Sequence, residues 1–136
     1  MTVKDTTAMI AAMTPQLTQG SWVYCFEPDP ERVATLMDDA FAMIREVEGV
    51  TLILPACVAA AQGHDSARAM RLITLSVFSD LEGIGLTAAV AQALTDAGIS
   101  CNVVAAYHHD HVFVPETDAK AALAALQKCQ LAAAQK

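Results

Sequence analysis

The order of strand and helix patterns predicts an α+β protein made of two small halves, each of the βαββαβ type with an antiparallel sheet and helices on one face. Alternating apolar residues mark short strands, and apolar residues at helical spacing mark the helices between them. A strand that ends at a proline and is followed by a helix occurs twice, at Val50–Pro55 and at Val112–Pro115. Such repeated βαββαβ units are typical of the ferredoxin-like fold.

The first half begins with a predicted leading helix over 1–17, because apolar residues from Ala8 to Met13 have helical spacing. Prolines and glycines then separate the elements, since proline lacks an N–H and glycine favours turns. In chain order the predicted elements are strand Trp22–Phe26, helix Pro30–Asp39, strand Met43–Val47, strand Val50–Leu54 and helix Cys57–Gln62. The polar segment 64–69 joins the halves, so we place the domains at 1–66 and 67–136.

The second half has the clearer pattern, with a helix that ends at Gly98. Its predicted elements are strand Arg71–Phe78, helix Leu86–Ala97, strand Ile99–Tyr107, strand His111–Val114 and helix Ala119–Cys129. Each half contains three clear strands, whereas a complete ferredoxin-like unit needs four. We therefore expect the halves to share or exchange strands, with Arg71–Phe78 and Trp22–Phe26 as the best candidates.

Composition limits the classes of partner. The formal net charge is −7 and no basic cluster offsets it, which argues against binding to nucleic acid or to an anionic membrane. No secretory signal or transmembrane segment is predicted. Four widely spaced cysteines without a CxxC pair suggest reduced thiols and a cytoplasmic location. Because only 5% of the residues are aromatic, the core should be thin, and we expect a homodimer.

The glycine-rich segment Gly83-Ile84-Gly85-Leu86-Thr87 is a candidate ligand site. Glycine lets the backbone approach a ligand closely, and a helix that begins at Leu86 offers free N–H groups and a partial positive charge. A small anion such as a carboxylate would suit this position, with the Thr87 hydroxyl as a further donor. A tight strand-to-helix corner without a ligand is the alternative. Ser79 and Asp80, just before it, fit ordinary turn residues.

The segment His108-His109-Asp110-His111 suggests a metal site at first sight. Adjacent residues of an extended segment point to opposite faces, however, so two at most would converge where zinc requires three or four ligands. A polar turn is the better interpretation, and we predict no metal and no cofactor. Asp110, at a strand start, is suited to accept hydrogen bonds from a cationic group. Asn102 lies in an apolar strand, where its amide would need either a ligand or a nearby loop.

These segments resemble a family of small bacterial ACT-domain proteins. The resemblance lies in Leu81–Val90, Ala97–Ala105 and His109–Pro115 of the second half, and in Arg45–Glu46 with Glu48–Pro55 of the first. It implies two ACT-like halves of ferredoxin-like fold, and ACT modules in general bind amino acids as regulatory ligands. No catalytic motif accompanies them, so we expect no enzyme activity.

A more distant resemblance is to the cytosolic arginine sensor of the TOR kinase pathway, which has related modules with a similar glycine corner and Asp-His strand start. It implies that Gly83–Thr87 hold a ligand carboxylate and that Asp110 holds a cationic group. The sensor has four modules where this chain has two, so arginine specificity does not transfer. The sequence therefore favours an amino-acid-binding regulatory protein. The alternatives are a structural or oligomerisation module without ligand, and a small metal-dependent enzyme that uses His109, Asp110 and His111.

Overall fold

A computed structural model describes residues 5–136 and shows an α+β protein. Its helices are α1 (Thr6–Ala11), α2 (Pro30–Leu36), α3 (Ala56–Ala61), α4 (Leu86–Asp96) and α5 (Ala119–Ala134). Its strands are β1 (Pro15–Leu17), β2 (Trp22–Glu27), β3 (Ala42–Arg45), β4 (Val50–Pro55), β5 (Met70–Leu75), β6 (Asn102–Ala105) and β7 (Asp110–Pro115). In this described part, no helix is both long enough and apolar enough to cross a membrane.

Two compact units make up the described chain. One unit is Gly20–Met70, and the other combines the residues up to Gln19 with Arg71–Lys136. The predicted α+β class, with two βαββαβ-type halves and antiparallel strand pairing, is confirmed. The domain limits 1–66 and 67–136 follow the order of the chain and stay a prediction, because the compact units group the first residues with the last ones.

The unit Gly20–Met70 is built on three antiparallel strands in the order β3-β4-β2. Ile53 of the central strand faces Tyr24 on one side and Ala42 on the other. Along β2, buried Val23 and Cys25 alternate with exposed neighbours, as expected for a sheet with one covered face. The buried apolar residues of this unit form one cluster, namely Val23, Cys25, Leu36, Leu52, Leu54 and Ala59.

A buried carboxylate at the end of β2 is paired in this unit. Glu27 is 5% exposed, and the Nε of Arg32 donates to its Oε1 at 2.6 Å. The same guanidinium donates through Nη2 to the carbonyl of Gln62 at 2.9 Å, which ties the ends of β2, α2 and α3 together. The hydrogen bond from Arg32 lowers the pKa of Glu27 below its ordinary value.

We expect this ion pair to make folding stability depend on acid pH. A depressed folded-state pKa adds stability that is complete above the unfolded-state pKa, about 4.3, and is lost as the pH falls through the folded-state value. Glu27→Gln should therefore flatten the acid side of a stability profile measured by urea unfolding, relative to the wild type. Glu31→Gln removes an exposed carboxylate from α2, the helix that carries Arg32, and should leave the stability profile unchanged. Parallel profiles for the wild type and Glu27→Gln would contradict the assignment.

The other unit has the strand order β1-β5-β7-β6. Antiparallel pairing joins β1 to β5, with Gln16 opposite Thr74, and joins β6 to β7, with Val103 opposite Val112. Helix α5 packs against α1 and α4. The core consists of the buried residues Met9, Met13, Ile73, Leu75, Val77, Leu86, Val90, Leu94, Ile99, Val112, Val114, Ala122 and Leu126.

The segment before Gly20 differs from its prediction. The prediction of a leading helix over 1–17 is wrong beyond Ala11, because Pro15–Leu17 form an edge strand. Residues 1–4 of that prediction lie outside the described residues. Backbone bonds from Thr18 N to Leu72 O and from Ser76 N to Met13 O, 2.9 and 2.7 Å long, hold this strand in place. It occupies the fourth position of the βαββαβ order in this unit, as a strand that the sequence does not predict.

Candidate functional site

The start of α4 provides the free backbone donors that the sequence predicts. Gly85 is the N-cap residue, with φ of +105°, and it has no side chain to cap the first turn. That left-handed conformation explains why glycine occupies the position. The first-turn N–H groups and the helix dipole therefore present positive potential at Leu86 and Thr87.

The corresponding corner of the other unit is already satisfied. Asp29 caps α2, where its Oδ1 accepts from Glu31 N at 3.0 Å. Pro30 at the first helical position has no N–H to offer. Of these two strand-to-helix corners, only the one at Gly85 is suited to an external anion.

A buried carboxylate lies close to the α4 start. Asp110, the first residue of β7, is 7% exposed. Ser79 donates from Oγ to its Oδ2 at 3.1 Å. No residue in 5–136 forms an ion pair with Asp110, although a buried charge ordinarily requires one. The position therefore suits a cationic group from a ligand.

The α4 start and Asp110 line one small pocket of about 110 Å³. Five of the predicted site residues are in its lining, namely Gly83, Gly85, Leu86, Thr87 and Asp110. Five further residues complete it, namely Met9, Ser79, Asp80, Leu81 and Ala105. The sequence treats Ser79 and Asp80 as turn residues; in the fold both line the pocket, and Ser79 donates to Asp110.

Two predicted site residues are not in the lining of this pocket. Ile84 is 81% exposed, and its carbonyl accepts a hydrogen bond from the hydroxyl of Thr6. Asn102 is exposed on β6, opposite Phe113. Because its strand is at the edge of the sheet and its side chain is exposed, the amide can hydrogen-bond to solvent without a ligand or a loop. A ligand contact by either residue stays a prediction.

Helix α1 covers the glycine corner, which the sequence does not reveal. A β-carbon at Gly85 would lie 2.6 Å from the methyl carbon of Thr6, and one at Gly83 would lie 3.1 Å from the sulfur of Met9. Met9 is fully buried and reaches the pocket. Helical spacing predicts that Met9 lies on an apolar face, but no local pattern indicates that this face meets a loop more than 70 residues later.

The histidine segment does not assemble a metal site. His111 Nδ1 lies 3.0 Å from the hydroxyl of Thr74, while the ring of His109 packs against Phe78 at a centroid distance of 4.8 Å. Burial lowers the pKa of His111, and the nearby charge of His109 lowers it further. Across residues 5–136, no three metal-binding side chains come together. The geometry therefore gives no support to the metal-dependent alternative.

A larger groove of about 520 Å³ lies in the unit Gly20–Met70. It runs between α2 and the turn that joins β3 to β4, with apolar walls such as Val33 and Met37 and the charged residues Arg45, Glu46 and Glu48. None of the residues that line it is a buried carboxylate comparable with Asp110. We therefore rank it below the Asp110 pocket as a site for a small charged ligand.

The fold, with one strand-to-helix corner in each unit, defines a tandem of small ferredoxin-like modules. Residues 2–71 match one ACT-domain family model and residues 69–128 match another. The chain belongs to the ACT-domain proteins. No curated protein matches it by sequence.

Solved structures extend this comparison. A crystal structure from Vibrio cholerae, of a protein of unknown function described as a possible transport protein, has a TM-score of 0.78 and 41% identity over 88% of this chain and 92% of that one. The regulatory subunit of aspartate kinase from Thermus flavus has a TM-score of 0.58 at 14% identity, covering 87% and 98%. The ligand-free subunit from Thermus thermophilus has a TM-score of 0.61 at 15% identity, covering 87% and 97%. At such low identity, the aspartate kinase comparisons establish the fold alone.

Proposed function

We propose that this ACT-domain protein is a regulatory protein that binds one amino acid per chain and catalyses no reaction of its own. The observation that carries the proposal is the placement of two opposite charges around one pocket. The uncapped start of α4 attracts a carboxylate, and buried Asp110 has no ion-pair partner within residues 5–136. A free amino acid is a zwitterion that supplies both groups.

The stoichiometry follows from the difference between the two corners. Asp29 already caps α2, whereas Gly85 leaves α4 uncapped. A second ligand at α2 would have to displace the Asp29 carboxylate, which belongs to the chain itself. One ligand per chain is therefore expected, in spite of the two modules.

We further propose that the protein is a homodimer in the cytoplasm. Apolar side chains are exposed on the two segments that carry the pocket, namely Phe78, Leu81, Ile84 and Tyr107, and such exposure favours coverage by another module. The four free cysteines fit a reducing compartment. Light scattering after size-exclusion chromatography measures the oligomeric state. A monomer at micromolar concentration would contradict the dimer without affecting the pocket.

A thermal-shift screen with the twenty amino acids at millimolar concentration tests the proposal. A ligand at a hundred times its dissociation constant stabilises by about 2.7 kcal/mol, which should raise the melting temperature by roughly 5 to 15 °C. Calorimetry on each hit should give one site per chain. If no amino acid changes the melting temperature of ligand-free protein, refolded after denaturation to remove any retained ligand, the proposal fails. The structural-module alternative would then explain the exposed apolar side chains.

A further inference from the structure

We propose that helix α1 restricts this pocket to small amino acids of the size of glycine, alanine and serine, with Met9 as the residue that sets the limit. The inference rests on the proposed function and adds the class of ligand. It follows from three features of the pocket: its volume, the residues of α1 that close it, and the polar groups that face it.

The volume allows only a small ligand. A cavity of about 150 Å³ holds a benzene ring, and this pocket measures about 110 Å³. Alanine has as many non-hydrogen atoms as benzene, so the main chain of an amino acid already occupies most of the space. Little of this volume then remains for a long or aromatic side chain between Asp110 and the α4 start.

Met9 is the α1 residue that lines the pocket, and Thr6 of the same helix packs against the corner at Gly85. The sulfur and the terminal methyl of Met9 lie 3.1 and 3.2 Å from the position of a β-carbon at Gly83, so this side chain fills the space beside the corner. The methyl of Thr6 lies 2.6 Å from the position of a β-carbon at Gly85, and its hydroxyl donates to the carbonyl of Ile84. Both contacts place α1 directly against the corner.

Polar groups line the pocket beside the apolar residues Leu81, Leu86 and Ala105. Ser79, Thr87 and Asp110 contribute oxygen atoms, and Ser79 already donates to Asp110. A short side chain, with or without a hydroxyl, suits this surface. A branched apolar side chain would lie against the buried Asp110 carboxylate, which favours a short side chain.

Truncation of Met9 should therefore broaden the specificity. Met9→Ala removes Cγ, Sδ and Cε from the boundary and leaves the two charged ends of the pocket in place. One methylene accommodated in an apolar pocket changes the affinity about 10- to 200-fold. We expect Met9→Ala to bind valine, leucine or methionine at least about tenfold more tightly than the wild type does. Met9→Val, a milder truncation, should give a smaller change in the same direction and replaces Met9→Ala if that variant does not fold.

Met13→Ala is the matched control. Met13 is fully buried in the same core cluster but is not in the pocket lining, so its truncation should lower the melting temperature without altering the order of ligand affinities. Circular dichroism verifies that each variant is folded before titration.

Calorimetric titration separates the outcomes. Wild type, Met9→Ala and Met13→Ala are each titrated with glycine, alanine, serine, leucine, phenylalanine and arginine. The inference is supported if the wild type binds only the small amino acids and Met9→Ala alone gains binding of leucine. Wild-type protein that binds leucine, phenylalanine or arginine as tightly as alanine overturns it and leaves the proposed function intact. Unchanged specificity in folded Met9→Ala and Met9→Val, or an equal change in Met13→Ala, also overturns it. Wild-type protein that binds none of these six, and none of the twenty amino acids in the thermal-shift screen, overturns the proposed function itself.

Discussion

Asp110→Asn is expected to weaken amino-acid binding about thirtyfold or more while leaving the ligand-free protein at least as stable as the wild type. Loss of one partner from a buried charge pair costs about 2 kcal/mol or more, and every 1.4 kcal/mol is tenfold in affinity. The introduced amide keeps an oxygen that can accept from Ser79. The substitution also removes a buried charge that has no cation in the described protein, which is a reason for unchanged or increased stability.

The combination of these two effects distinguishes a binding residue from a structural one. Titration calorimetry measures the affinity and urea unfolding measures the stability. Asp96→Asn is the control, because it removes the same charge from the exposed far end of α4; it should leave the affinity unchanged and alter the stability by about 1 kcal/mol at most. A strong loss of stability in Asp110→Asn without ligand would assign the carboxylate a structural role instead.

Gly85→Ala is expected to destabilise the fold by about 2–5 kcal/mol and to abolish ligand binding. A β-carbon in this left-handed conformation costs about 1–2 kcal/mol, and the overlap with the Thr6 methyl adds about 1–3 kcal/mol. The overlap should displace α1 from the corner and distort the first turn of α4. Thermal unfolding and calorimetry measure the two effects.

Gly98→Ala is the matched control for this substitution. Gly98 has φ of +73°, and a β-carbon there would meet no atom within 4 Å. It should lose about 1–2 kcal/mol through backbone strain alone and keep its affinity. Thr6→Ala combined with Gly85→Ala should restore part of the stability, because it removes the overlapping methyl. Equal stability losses for Gly85→Ala and Gly98→Ala would show that α1 does not press on the corner.

The sequence predicts those elements whose evidence is local. The stripe from Leu86 to Ala97 and the glycine stop at Gly98 predict α4 almost to the residue, because apolar periodicity and capping act within a few residues of each other. The same holds for β4, where a continuous apolar run ends at Pro55. The glycine corner can be located for the same reason.

Features that depend on distant partners cannot be predicted in this way. A strand of three residues such as Pro15–Leu17 has no pattern of its own and exists through its pairing with β5. Period-two alternation places Asn102 on a strand but does not reveal which face is solvent-exposed. Helical spacing predicts Met9 as an apolar helix residue, while its contact with Gly83 depends on the tertiary fold.

The central claim is that one amino acid spans the α4 start and Asp110. The most direct test is a ¹H–¹⁵N NMR titration of the assigned protein with the tightest amino acid from the screen. We predict that the largest shifts fall on the amides of Gly83–Thr87 and Asp110, and that the amides of Asp29 and Glu31 at the capped corner stay unchanged. Shifts that cluster instead along the groove between α2 and the β3–β4 turn, with Gly85–Thr87 unaffected, would contradict it.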